Sequence, residues 1–183
     1  MNLNIDQKTV DDFGDEWDSF DQKNNFIELN YIFNNYFKIF PFKRLTKNSI
    51  GFDAGCGSGR WAYFISPLVK SLYCIEPSSK AIQIAKKNLS DKKNCIFHND
   101  SINKFFENSN KFFDFGYCLG VLHHIPDTNK ALNIMTSKLK RGSPFLLYLY
   151  YNFDNRSKTF TFIWKVSNLL RIIISKLPSL KAL

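Results

Sequence analysis

Apolar residues in this chain fall into two alternating patterns. Short continuous runs, at 49–54, 71–75, 95–98, 112–119 and 145–150, alternate with stretches whose apolar residues recur every three or four positions. The runs read as strands buried on both faces, as in a parallel sheet covered by helices. The periodic stretches read as the covering helices. One spans 25–40, with Phe26, Leu29, Phe33, Tyr36, Phe37 and Phe40 on its stripe, and others span about 60–66, 77–89 and 127–139. Pro41 closes the first, because the residue before a proline is pushed out of the helical region. Pro67 closes the second, Pro77-Ser78-Ser79 opens the third with capping hydroxyls, and Gly142 follows the last. A shorter amphipathic segment lies at 102–106. This order predicts an α/β fold, a doubly wound, mostly parallel sheet of about five strands.

The two ends break the pattern. Residues 1–19 are polar and acidic around Phe13 and Trp17. Residues 158–177 carry apolar side chains at helical spacing (Phe160, Ile163, Val166, Leu170, Ile173, Ile174, Leu177) interrupted by Lys165, Arg171 and Lys176. That is a basic amphipathic helix rather than a membrane span. Two placements are open for it: packing on the domain or a partner, and contact with a membrane surface through 158–177.

Composition narrows the class. With 44% hydrophobic and 16% aromatic residues, the 183-residue chain can bury a real core. The net charge of +9 invites a nucleic-acid hypothesis. Its lysines are scattered, in clusters no longer than Lys86-Lys87 or Lys92-Lys93, which disfavours a dedicated nucleic-acid face. Cys56, Cys74, Cys95 and Cys118 lie far apart with no C-x-x-C pair. That spacing suits buried thiols in a reducing compartment and offers no metal-ligand set. A polar start and the lack of a long apolar run make a cytoplasmic protein the expectation.

The candidate chemistry clusters after the strands. Gly55-Cys56-Gly57-Ser58-Gly59 follows the first strand, and glycines there let a backbone approach a ligand closely. An ordinary tight β–α turn would look the same in isolation. A dinucleotide fingerprint would want glycine at position 60, where Arg60 stands. Three carboxylates follow the first three strands: Asp53, Glu76 and Asp100. In this architecture ligands bind outside the carboxyl ends of strands, where a carboxylate can accept both hydroxyls of a ribose.

The combination resembles the class I S-adenosylmethionine-dependent methyltransferases. The likeness rests on Phe52-Asp53-Ala54-Gly55-Cys56-Gly57-Ser58-Gly59, Ile75-Glu76-Pro77-Ser78 and Asn99-Asp100-Ser101. A fourth block, Phe113-Asp114-Phe115-Gly116-Tyr117, runs into Val121-Leu122-His123-His124-Ile125-Pro126-Asp127. It is similar to the subgroup that includes quinone-biosynthesis methyltransferases. The Gly120 to His124 and Tyr148 to Arg156 segments resemble a bacterial group associated with surface-polysaccharide pathways. The resemblance implies a Rossmann-like domain at 46–152 that binds S-adenosylmethionine, an N-terminal helical lid at 1–45 and a helical tail at 153–183. By the same resemblance, Ala54, Gly55 and Gly57 would carry the loop under the methionine part, with Asp53 near its amino group. Glu76 would take the ribose, Asp100 and Ser101 the adenine, and Leu119 with Gly120 the floor near the sulfonium. Trp17 would belong to the lid. His123 or His124 could serve as base for a hydroxyl acceptor, or the pair could simply cap the turn before Pro126.

Other features shape the acceptor. No Asn/Asp-Pro-Pro-Tyr/Phe segment follows strand four, where Cys118-Leu119-Gly120-Val121 stands, and no Pro-Cys dipeptide is present. Enzymes that methylate the exocyclic amine of a base in nucleic acid usually carry the first, and covalent attack on cytosine uses the second. A small-molecule, sugar or lipid-linked acceptor is therefore expected. The resemblance also implies two further antiparallel strands, for which no run appears after Tyr151, so strand five is expected as an apolar edge. Three competing readings stay open: a truncated, non-catalytic cofactor-binding protein, an NAD-dependent enzyme, and an RNA methyltransferase. The sequence leaves the oligomeric state open.

Overall fold

The structure, a computed structural model, describes residues 4–19, 26–150 and 156–175. The chain forms two compact units, Met1–Leu149 and Tyr150–Leu183. The first begins with α1 (Gln7–Ser19) and α2 (Phe26–Tyr36), followed by β1 (Ile50–Ala54), α3 (Ala62–Ile65), β2 (Ser71–Ile75), α4 (Ser79–Asn88) and β3 (Cys95–His98). It continues with α5 (Ile102–Asn108), β4 (Phe115–Leu119), α6 (Thr128–Ser137) and β5 (Phe145–Tyr148). The second unit contains α7 (Lys158–Ser175). Among the described residues no helix is long and apolar enough to cross a membrane.

The five strands are all parallel, in the order β3-β2-β1-β4-β5. This is the doubly wound, Rossmann-like arrangement that the alternating pattern predicts. Several boundaries differ from the sequence expectation, each for a local reason. The helix expected over 25–40 ends at Tyr36, and the chain then turns through bonds from Phe37 N to Phe33 O and from Phe40 N to Phe37 O, both 2.9 Å. The helix expected at 60–66 breaks into α3 and a 3-10 turn at Ser66–Leu68, with Pro67 inside it. Strand four starts at Phe115 because Asp114 folds back on β1. Its carboxylate and its amide bond the Ile50 amide and carbonyl respectively, each at 2.8 Å. Residues 7–19, polar and acidic in sequence, form α1.

Alternation along each strand splits the core into two layers. On one face, Phe33, Phe37, Trp61, Ile65, Ala85 and Leu89 pack against Leu72, Cys74, Phe115 and Tyr117. On the other, Phe105, Phe106, Ala131 and Met135 cover Phe52, Tyr73, Ile75 and Cys118. Burying each large apolar side chain is worth about 1.5–3 kcal/mol, so the phenylalanines dominate the stability of both layers. Cys56, Cys74, Cys95 and Cys118 are free thiols.

A reciprocal exchange of size locks β1 to β4. Gly51 pairs with Phe115, and Phe52 pairs with Gly116. Each ring lies over its neighbour's glycine, one on each face, so a Cβ on Gly51 would sit 2.1 Å from the Phe115 ring and one on Gly116 2.2 Å from the Phe52 ring. The aromatic ring fills the space the glycine leaves.

The N-terminal segment crosses the carboxyl edge of the sheet. Asn4, 5% exposed, donates to Asn103 Oδ1 (2.9 Å) and to the Asp127 carbonyl (2.8 Å), and accepts from the Asp127 amide (2.8 Å). Ten residues on, Gly14 of α1 lies so close to α4 that a Cβ there would meet Ser78 Oγ at 2.6 Å. The segment thus runs from the starts of α5 and α6 to the start of α4. All three helix starts lie at the carboxyl edge, because each helix follows its strand in a parallel sheet.

Gly116→Ala is expected to lower stability by about 1–3 kcal/mol through overpacking against Phe52. Urea unfolding monitored by circular dichroism would measure it, with S-adenosylhomocysteine absent.

Candidate functional site

The chain reverses its direction of winding between β1 and β4, which opens a crevice at their carboxyl ends. The loop after β1 fills its floor. Gly55, Gly57 and Gly59 have φ of 78°, 52° and 82°, values that L side chains rarely adopt. The Gly55 and Cys56 amides both donate to the Ile75 carbonyl, at 2.8 and 3.1 Å, so the loop hangs from the end of β2. A Cβ on Gly55 would lie 2.4 Å from Val121 Cγ2, which seats the turn after β4 against the loop. A Cβ on Gly59 would lie 2.7 Å from Leu89 Cδ1, so this third glycine serves helix packing. The Asn88 amide holds the loop from outside through the Ser58 carbonyl at 3.1 Å.

Two carboxyl groups are buried beside this loop. Glu76, 9% exposed, accepts from the Gly57 amide through Oε2 and from the Ser78 amide through Oε1, each at 3.0 Å. Burial raises its pKa, and the Ser78 and Gly57 amides pull it back. Asp53, 1% exposed, lies between its cross-strand neighbours Cys74 and Tyr117. Burial pushes Asp53 up to about 8; the Tyr117 hydroxyl and Arg60 oppose this, while Glu76 adds to it. The help from Tyr117 is incomplete, since Asp53 Oδ2 and the Tyr117 hydroxyl are both buried without a hydrogen bond. Ala54, fully buried, turns its methyl into the opposite core layer and contributes backbone to the loop.

The remaining candidates stand around the same edge. Ser101 caps α5 by accepting from the Lys104 amide at 3.2 Å, and Asp100 forms an ion pair with the Lys104 ammonium. Asn99 ties this corner to the site, donating to the Glu76 and Pro77 carbonyls at 2.9 Å each. Leu119 ends β4, 8% exposed, and Gly120 follows with φ of 75° and open space where a Cβ would be. His123 and His124 sit on the 3-10 turn Leu122–His124 with ring centroids 4.0 Å apart. Burial lowers both pKa values, and their mutual proximity lowers that of His123 further, so both rings are neutral near pH 7. Among the described residues no group of three or more His, Cys, Asp or Glu could hold a metal ion. A separate hollow of about 310 Å³, lined by Phe26, Leu29, Arg60, Tyr63 and Asn88, lies on the outer side of the glycine loop.

The arrangement therefore brings Asp53, Glu76, Gly55 and Gly57 into one cluster, with Asp100 and Ser101 at one flank and Leu119, His123 and His124 at the other. Trp17's side chain lies outside the described residues. Residues 52–147, more than half of the chain, match the model of the family described as a methyltransferase domain. The chain belongs to this family. No curated protein matches it. Solved structures similar to it share the fold at low identity. The N-methyltransferase NodS from Bradyrhizobium japonicum, in complex with S-adenosyl-L-homocysteine, is 18% identical over 75% of this chain and 70% of its own, with a TM-score of 0.58. An S-adenosylmethionine-dependent methyltransferase from Clostridium acetobutylicum is 19% identical, with a TM-score of 0.56, over 68% of this chain and 53% of its own. An rRNA methylase from Streptococcus thermophilus is 20% identical over 68% and 72%, with a TM-score of 0.50.

Four residues of this methyltransferase domain carry the geometry without a role assigned to them in sequence: Asn88 lay outside every motif, while Asn99, Tyr117 and Val121 stood inside the motif blocks. Asn99 had a signal, lying beside Asp100 directly after a strand. The motif block holding Tyr117 and Val121 gave no hint of their roles, which come from register and from loop contact.

Asp53 makes stability depend on pH. Its carboxyl ionises near 3.8 when unfolded and near 8 when folded, so the folded state loses stability as pH rises through that window. Glu76 acts in the same direction. Asp53→Asn is expected to flatten the slope and to gain about 3 kcal/mol at pH 8, an order of magnitude drawn from the shift. Urea unfolding at pH 5 and pH 8 would show it; equal slopes in both proteins would exclude Asp53 as the cause.

Proposed function

We propose that this domain transfers the methyl group of S-adenosylmethionine to a small-molecule, sugar or lipid-linked acceptor. The observation that carries the reading is the buried, incompletely satisfied Asp53 carboxyl beside a glycine loop and a second buried carboxylate. A lone buried carboxylate is costly until a cation arrives, and a ligand bearing an ammonium group supplies one. The family membership and the S-adenosyl-L-homocysteine complex of the NodS neighbour support the same ligand.

In this reading Asp53 accepts from the amino group of the methionine part, over the backbone of Ala54, Gly55 and Gly57. Glu76 accepts the ribose hydroxyls, and Asp100 with the Ser101 amide holds the adenine. Leu119 and Gly120 line the place of transfer. When bound, the sulfonium supplies an activated methyl group, so the chain's work is alignment in a water-poor crevice. Such positioning contributes on the order of 7–11 kcal/mol. A neutral His123 or His124 suits removal of a proton from a hydroxyl acceptor. Of the N-terminal segment 1–45, the part from Asn4 through α1 acts as the lid, latched through Asn4 and seated on Ser78 through Gly14, while α2 packs into the core. Buried free thiols agree with a reducing, cytoplasmic setting.

Calorimetric titration tests the binding half. S-adenosylmethionine and S-adenosylhomocysteine are expected to bind and NADH to be ignored, with Asp53→Asn and Glu76→Gln each weakening binding by about tenfold or more through a lost charge-assisted bond. Binding near pH 7 is expected to release a proton from Asp53, visible as a heat that changes with the buffer's ionisation enthalpy. Adenosyl binding without methyl transfer to any small, sugar or lipid-linked acceptor would favour a non-catalytic cofactor-binding protein. The lid has its own test: Asn4→Ala should speed release of S-adenosylhomocysteine in stopped-flow without changing the pH at which the proton is released.

A further inference from the structure

The second unit carries a surface that methyl transfer does not use. Helix α7 exposes large apolar side chains: Phe162 is 68% exposed, Ile163 66%, Val166 45%, Leu169 59% and Leu170 53%. At 3.6 residues per turn these fall on one stripe, while Thr161 and Asn168, on the opposite side, are half-buried. Lys158 and Lys165 border the stripe along one edge and Arg171 lies nearer the opposite side; all three are exposed. From 156 to 183 the sequence holds six lysines or arginines and no aspartate or glutamate.

We infer that α7 docks this protein on an anionic lipid surface, its stripe in the acyl boundary and its flanking cations among the headgroups. An apolar stripe edged with lysine is what an interfacial helix requires, since the cations reach outward along the surface while the stripe enters it. Negative lipid complements a segment with only positive charge. A second copy of α7 fits less well, because an antiparallel two-fold pairing along this stripe would bring Lys158 and Lys165 against like charges with no acidic partner on either helix. Among the described residues no helix, α7 included, is long and apolar enough to cross a bilayer.

Vesicle flotation with the full chain tests this and needs no turnover. The protein is expected to float with phosphatidylcholine vesicles containing one quarter phosphatidylglycerol and to stay in solution with phosphatidylcholine alone. Because the net charge of +9 alone attracts anionic vesicles, the deciding variant keeps the charge: Ile163→Ser/Val166→Ser/Leu170→Ser. It is expected to lower partition by about tenfold or more, while Lys165→Gln/Arg171→Gln weakens binding and its salt dependence together. Urea unfolding checks that the core of the triple variant is intact, so the outcome does not rest on cofactor binding. Absence of flotation overturns the inference, as does flotation that the triple variant retains. A dimer that the triple variant dissolves, in a wild type that ignores vesicles, would assign the stripe to a second copy.

Discussion

One carboxylate holds the working edge of this domain together. Glu76 takes the Gly57 amide on one oxygen and the Ser78 amide on the other, at 3.0 Å each, and so joins the loop after β1 to the start of α4. Its own carbonyl receives the Asn99 amide, which draws in the segment after β3. Every candidate binding group on that side of the crevice is positioned relative to this residue. A buried charge makes such a hub because its desolvation is tolerable only when its lone pairs are filled by fixed donors.

Asp53 shows the opposite balance. Its neighbours leave Oδ2 without a hydrogen bond, and burial keeps its proton in place at neutral pH. The folded chain therefore carries a strained electrostatic element at its carboxyl edge, offset by two well-packed core layers. Sites that must bind a cation commonly trade stability for readiness in this way. The reciprocal Gly51–Phe115 and Phe52–Gly116 packing lies directly below in the same strand pair, where a rigid β1–β4 junction keeps Asp53 and Leu119 from drifting apart.

Much of the site was legible along the chain because a parallel sheet sends the ends of all its strands to one edge. Once the apolar runs are read as strands, Asp53, Glu76 and Asp100 must share that edge, whatever the loops do. The glycine spacing could likewise be read locally, since a positive φ is a property of one residue. Less was legible where partners come from elsewhere. The strand boundary at Phe115 depends on Asp114 reaching Ile50, and α1 carries too few apolar residues to declare itself.

The amino-acid sequence alone thus determined the α/β class, the family likeness, and which carboxylates and glycines lie at the carboxyl edge of the sheet. These follow from residue type, period and position after a strand, which are local quantities. Only the tertiary structure decided that Tyr117 lies beside Asp53, that Val121 leans on Gly55, and that Asn4 reaches Asn103 and Asp127 across the edge. It also decided that the apolar stripe of α7 is exposed. Each of these depends on register or on contacts between residues far apart in the chain, and no local pattern of side chains encodes them.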